Sequence, residues 1–306
     1  MDNYLQHILE KKPDLIFPAK LGEGSKRIEI LNEDYHQIHN RVSNSLLSNM
    51  RDSPRKYLYE LYQNQIADEK EEKKHLRFGR LFHEALLEPE NFHKKKIVVK
   101  DFPPQRSKAA KEEKRLFLEG LEPGTIVFSG EEYDAFVWML NSLVDHDVGK
   151  NIFKGGTPEV TFLFDDPKTG ISARSRLDYI IPEKKWIVEV KTTRVSNPAM
   201  FKAEVYKMDY DMQLAFQAEA YKSHYGIYPE LRVIVGVSKA APHEIKILML
   251  DDEMVSPGQM KYRWCMETLN KCLELKQFPP KQIRAEIVSP PSWAAYETFP
   301  EIEFKE

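Results

Sequence analysis

Three strand-like stretches follow one another in the middle of the chain, "PEVTFLFDD", "GISARSRLDYII" and "KKWIVEVKTT", with only "DPKTG" and "PEKK" between them. Both spacers carry turn residues, so this region is read as consecutive strands joined by tight reversals. Two more apolar runs, "LRVIVGVS" and "HEIKILML", read as strands after a helical interval at about 198 to 226. Amphipathic helices precede the sheet. Tyr57, Leu58, Leu61 and Tyr62 form one inward stripe, Leu81, Phe82, Ala85 and Leu86 a second, and Phe136, Met139, Leu140 and Leu143 a third. A long helix ends near Lys276. The pattern predicts an α/β fold, a mixed central sheet flanked by helices with a helical N-terminal part. Residues 1–30 are expected to be a loosely ordered arm and 31–306 a single domain. The charge run at 67 to 74 is read as a solvated loop or helix end, and the Pro-rich tail as irregular.

The last of the three strands has Trp186, Ile187, Val188 and Val190 in near succession, yet Glu189 and Lys191 interrupt it. Strand side chains alternate between faces, so these two charges leave the sheet together. If the strands around "PEKK" fold back symmetrically, paired positions sum to 367. Ile180 then meets Ile187, Tyr179 meets Val188, Ile181 meets Trp186 and Leu177 meets Val190. The face of Leu177, Tyr179, Ile181, Trp186, Val188 and Val190 is predicted to be the core face. The same register sets Asp178 opposite Glu189, two like charges at one rung. A divalent cation turns that repulsion into binding; otherwise the hairpin carries a solvated Glu–Lys pair. Lys191 can steady developing negative charge, and the Val190 carbonyl is a further ligand candidate.

Charge and composition exclude little. Lys and Arg number 45 and Asp and Glu 48, a net charge of -3, which neither favours nor forbids a nucleic-acid partner. No apolar run approaches the roughly 20 residues of a membrane span, and "MDNYLQHILEKKPDLIF" lacks the pattern of a signal peptide. Cys265 and Cys272 are the only cysteines, unsuited to a mutual disulfide and too few for a four-cysteine iron–sulfur cluster. A cytoplasmic location is the resulting expectation.

Asp178, ten residues, then Glu189-Val190-Lys191 resembles the core motif of the PD-(D/E)XK nuclease superfamily. Further segments resemble RecE-type exonucleases, the exodeoxyribonuclease VIII family: "FGRLFHEALLEPENF" with Gly79 and His83, the run from Thr157 through Thr193, and "DYDMQLAFQAEAYKSHYG". Shorter likenesses at "NEDYH", "SPRKYLYE", "GKNIFKGG" and "PPSWA" extend it over nearly the whole chain after the first 30 residues. The resemblance implies His83, Asp178, Glu189 and the Val190 carbonyl as metal ligands. Glu159 is implied beside them, Lys191 as the catalytic ammonium, and Gly79 as a point of close backbone approach. Without the resemblance, His83 would read as a polar-face residue and Glu159 as a strand-start carboxylate.

The family's helical glutamine corresponds to Gln213, with Gln217 in the place of its tyrosine; alternatively Gln217 is that glutamine and Tyr221 the tyrosine. Gln217 and Tyr221 are read as contacts to a DNA backbone. Arg174 and Arg176 alternate onto the face of Asp178, where they neutralise that carboxylate, meet a phosphate or form an ordinary ion pair. Arg106, Lys108 and Lys111 open a helix and form either an anion site or a solvated charge run.

The resemblance implies a metal-dependent exodeoxyribonuclease, with one or two Mg²⁺ ions or Mn²⁺ in their place. Such enzymes degrade linear duplex DNA from 5′ ends and leave 3′ tails for recombination with a RecT-like strand-annealing partner. It also implies a homo-oligomeric ring, a tetramer by family likeness. The alternatives are a structure-specific or restriction-type endonuclease of the same superfamily, and a nuclease fold kept as a DNA-binding module.

Overall fold

The computed structural model describes residues 2–66 and 74–281. The charge run at 67–73 and the tail from 282, with "PPSWA", lie outside the described residues. Among the described residues, eight strands form two sheets. They are β1 (Lys26–Ile28), β2 (Ile97–Val99), β3 (Ile126–Phe128), β4 (Thr157–Asp165), β5 (Ser172–Ile181), β6 (Trp186–Thr193), β7 (Leu231–Ser238) and β8 (Ile245–Met249). The main sheet has the order β1-β4-β5-β6-β7-β8, and β2 and β3 make a small separate pair. Only β6 and β7 run parallel within the main sheet. Their connection passes through the helices Pro198–Lys207 and Tyr210–Tyr225, as a parallel crossover requires. The mixed α/β architecture is the one expected.

The hairpin register is also as read: Tyr179 pairs with Val188, Ile180 with Ile187 and Ile181 with Trp186. The assignment of a single core face is corrected, because helices cover both faces. Ile180, Ile187 and Ile234 pack with the helices Pro54–Ile66, Tyr210–Tyr225 and Asp252–Leu275. Tyr179, Val188, Val190, Val233, Val235 and Val237 pack with the helices Lys74–Leu87 and Gly130–Asp145. Strands buried on both sides read as near-continuous apolar runs, which is the character of "LRVIVGVS". Leu177 falls in the first group, opposite to its predicted side, so the alternation of β5 breaks at Asp178.

The N-terminal arm is corrected as well. Leu5 and Ile8 of the Asn3–Lys11 helix are buried in the core, and β1 pairs with β4. At the "DPKTG" turn, Asp166 accepts the backbone N–H groups of Lys168 and Thr169, Tyr262 Oη and the Arg263 guanidinium. The turn therefore anchors the long Asp252–Leu275 helix. Burial pushes the Asp166 carboxyl up, but these donors hold it below the usual range. Cys265 and Cys272 are both buried and free. Among the described residues no helix is long and apolar enough to cross a membrane.

Candidate metal centre and catalytic cleft

The β5–β6 ladder stops at Tyr179 and Val188. Beyond it β5 continues along β4 and β6 along β7, so the two strands part. Asp178 sits at the fork, and its Oδ2 accepts the Val190 backbone N–H at 2.8 Å. A strand residue's N–H and C=O leave on the same edge, so the Val190 carbonyl faces the fork too.

The β4–β5 ladder also skips a rung, with Pro158 paired to Tyr179 and Val160 to Leu177 but no pair at Glu159 and Asp178. Glu159 has φ 50°, a left-handed conformation that costs a non-glycine residue about 1–3 kcal/mol. The strained residue stands beside another carboxylate, Asp178.

The Lys74–Leu87 helix supplies His83 from one side. Its Nδ1 lies 3.5 Å from Asp178 Oδ2. Gly79, one turn earlier, faces β6 without the close backbone approach expected of it: a Cβ there would lie 3.6 Å from Thr192 Oγ1, an ordinary contact. His83, Glu159 and Asp178 each offer one ligand atom, all within 4.8 Å of one another. Burial and the Asp178 charge push Glu159 up to about 7, against the pull of Arg176. Burial draws His83 down, but Asp178 and Glu189 outweigh it and hold the imidazole above its ordinary value. Burial likewise pushes Asp178 up, while His83, Lys191 and the Val190 N–H bring it net below the ordinary carboxylate value. Two carboxylates and an imidazole crowded in this way suit a divalent cation. The oxygens match Mg²⁺, and the nitrogen moves the set towards Mn²⁺.

The Tyr210–Tyr225 helix closes the other side. Glu189 is 2% exposed. Its Oε1 accepts Lys191 Nζ and Gln213 Nε2, each at 2.5 Å, and its Oε2 accepts Gln217 Nε2 at 2.7 Å. Burial and Asp178 push Glu189 up against the pull of Lys191 and Gln217. Burial draws the Lys191 ammonium down, but Glu189 and Asp178 outweigh it, so the charge is retained.

Several sequence readings change here. Glu189, read as a ligand beside Asp178, lies outside the group of three donors within 4.8 Å, and its oxygens accept Lys191, Gln213 and Gln217. Gln213 and Gln217 do not divide into one right and one wrong register, since both hold Glu189. Gln217 is thereby buried and unavailable as a DNA contact. Tyr221 is 1% exposed, with its ring tilted against that of Tyr225. Eight residues of helix turn its side chain about 80° from Gln213, into the core. Arg176 pairs with Glu159, Nε to Oε2 at 2.5 Å, rather than with Asp178. Arg174 is buried, with its guanidinium 4.6 Å above the Tyr35 ring, which removes it as an open phosphate contact. Arg106, Lys108 and Lys111 are exposed around the Ser107-capped start of the Lys108–Glu119 helix.

Tyr210 went unremarked in the sequence, yet its ring centre lies 4.8 Å from Lys191 Nζ. Its signal was the spacing Tyr210, Gln213, Gln217, which places three polar groups on one helical stripe.

The family described as "PDDEXK-like domain of unknown function (DUF3799)" matches residues 43–289. Among solved structures, a "Putative exonuclease" from Eubacterium rectale is similar over 88% of this chain and 98% of its own, with 14% identity and a TM-score of 0.54. A phage related exonuclease from Haemophilus somnus 129PT aligns over 58% of this chain and 92% of its own, with 11% identity and a TM-score of 0.30. No curated protein matches the sequence. The first structural likeness agrees with the sheet and flanking helices described above, and the family match spans the forked strands and the helices on both sides of the fork. The chain belongs to the PDDEXK-like DUF3799 family and has the fold of the PD-(D/E)XK nuclease superfamily.

Proposed function

We propose that this chain is a divalent-metal-dependent exodeoxyribonuclease that degrades linear duplex DNA from 5′ ends and leaves 3′ single-stranded tails. The observation that carries the reading is the convergence of His83, Glu159 and Asp178 beside the partly buried Lys191 ammonium. Such an ion, when bound, supplies Lewis-acid charge to a scissile phosphate and lowers the pKa of water.

The chain's own residues do the positioning. Val190 N–H fixes Asp178, and Arg176 fixes Glu159. Gln213 and Gln217 fix Glu189, which in turn holds Lys191. Lys191 then presents a positive charge where a phosphodiester becomes more negative on the way to its transition state. Exonucleolytic action is supported by the resemblance to RecE-type enzymes and by the name of the Eubacterium rectale relative. A RecT-like annealing partner and a homo-oligomeric ring belong to the same reading and rest on the resemblance alone. In it, Arg106, Lys108 and Lys111 contact DNA phosphates.

Digestion of linear duplexes labelled at each 5′ or 3′ end, with and without Mg²⁺, tests the proposal. Release of 5′ label with circular DNA left intact is expected. Cleavage of closed circles would replace it with the endonuclease reading. Absence of cleavage with Mg²⁺ or Mn²⁺, together with DNA binding, would support the non-catalytic module.

A further inference from the structure

Arg194 follows the carboxyl end of β6, and Lys239 follows the carboxyl end of β7. These are the two parallel strands, and the crevice beyond the carboxyl ends of such strands is where open α/β sheets bind ligands. The two residues are held together by the backbone, because the Lys239 N–H donates to the Thr193 carbonyl at 2.7 Å. Lys239 is also fixed by its surroundings. Its Nζ lies 4.8 Å from the centre of the Phe78 ring, on the helix that carries His83. The turn after it is braced by Ser238 Oγ, which accepts the Ala240 N–H, and by the buried His243 ring against the Ser238 carbonyl.

Neither cation has a carboxylate partner among the described residues. The groups acting on the half-buried Lys239 are its own burial and the Arg194 guanidinium, and both depress its pKa. Two like charges set side by side without a counterion are unfavourable alone and favourable around an anion. Lys191, in β6, lies three residues before Arg194, about 10 Å along an extended chain. The row of acidic residues begins only two residues before Lys191, so an anion between Arg194 and Lys239 would sit beside the cleft.

We infer that Arg194 and Lys239 form a phosphate clamp for the DNA backbone next to the phosphate being cleaved. The inference rests on the nuclease reading and adds to it the place where the strand is gripped. Arg194 offers a planar fork and Lys239 a point charge on an aromatic floor, so the clamp reads backbone and not base.

The test is the salt dependence of binding to a short, fluorescein-labelled, 5′-phosphorylated duplex, in Ca²⁺ to prevent turnover. Each lost phosphate contact lowers the slope of log affinity against log salt by about 0.7 to 0.9. The double variant Arg194→Ala/Lys239→Met keeps an apolar stem over Phe78 and should lower the slope by about 1.4 to 1.8. Lys20→Ala/Lys168→Ala, with Lys168 in the β4–β5 turn and Lys20 beside Gly170 of that turn, removes the same charge and should leave the slope unchanged. Unchanged melting temperature and retained metal binding in the clamp variant separate lost contact from lost fold. If the clamp variant binds with the wild-type slope, or the control loses as much, the clamp is wrong and the nuclease reading stands. If the wild-type protein shows no salt-dependent affinity for DNA, both are wrong.

Discussion

Asp178 Oδ2 takes the backbone N–H of Val190, so a carboxylate stands where the β5–β6 ladder would otherwise continue. This one substitution of side chain for main chain forks the sheet. It also aligns three acidic residues across three neighbouring strands. Counting the observed registers onward, Glu159, Asp178 and Glu189 occupy one row, and neither the β4–β5 nor the β5–β6 ladder forms a pair there. The sheet gives up regular pairing where it concentrates negative charge. Lys191, Arg176 and His83 offset that charge from three directions.

Replacing Lys191 with Ala removes the only ammonium that touches Glu189 among the described residues. Cleavage of linear duplex in Mg²⁺ is expected to fall about 100-fold or more, the scale of losing one preorganised donor. DNA affinity in Ca²⁺ should be nearly unchanged. A rate near wild type would remove Lys191 from the chemistry.

The two glutamines should differ. Gln217 is 2% exposed and its amide is sealed against Glu189, whereas Gln213 is half-buried, where water can replace it. Gln217→Ala should cost about 1.5–3 kcal/mol of stability, as for a hydrogen bond to a buried charge, and Gln213→Ala less. Urea unfolding of both variants checks the order, and the reverse ranking would contradict it.

Metal affinity should rise with pH. Glu159 titrates at about 7 and His83 above its ordinary value, and both must lose a proton to act as ligands. Calorimetric Mn²⁺ titrations should therefore show weaker binding with more proton release at mildly acidic pH, and tighter binding with less release above neutrality. Arg176→Ala removes a pull that lowers Glu159, so the rise should move to higher pH. A pH-independent affinity would rule out protonatable ligands at this place.

Two glycines near the cleft give opposite forecasts. A Cβ on Gly236 would fall 2.3 Å from the Phe201 ring, so Gly236→Ala should destabilise by about 1–3 kcal/mol. At Gly79 the nearest atom is Thr192 Oγ1 at 3.6 Å, and Ala is the better helix former. Gly79→Ala should be neutral or slightly stabilising. Thermal melts of the pair decide, and equal losses would show that the packing around Phe201 is not the cause.

What the sequence carried was local. The "PEKK" turn fixed the register of Ile180 on Ile187, and the Gly79–His83 spacing put the imidazole on the correct helix. What it could not carry was contact between distant segments. Strict alternation would set Arg174 on the face of Asp178, but the alternation breaks at Asp178, and Tyr35, 139 residues earlier, covers the arginine. Nothing near Glu189 in the sequence shows that the crossover helix returns to it with Gln213 and Gln217. The "DPKTG" turn was legible as a turn, yet nothing local shows that Asp166 also holds Tyr262 and Arg263, nearly 100 residues on.

The short strand β1 has a consequence for anyone who trims this chain. It lies along the outer edge of β4, and just past it the Ile30 carbonyl accepts Arg176 Nη1. Removing the first thirty residues would bare a nine-residue strand able to recruit another molecule edge to edge. It would also free the arginine that steadies Glu159. Aggregation and loss of activity would then arrive together from one deletion.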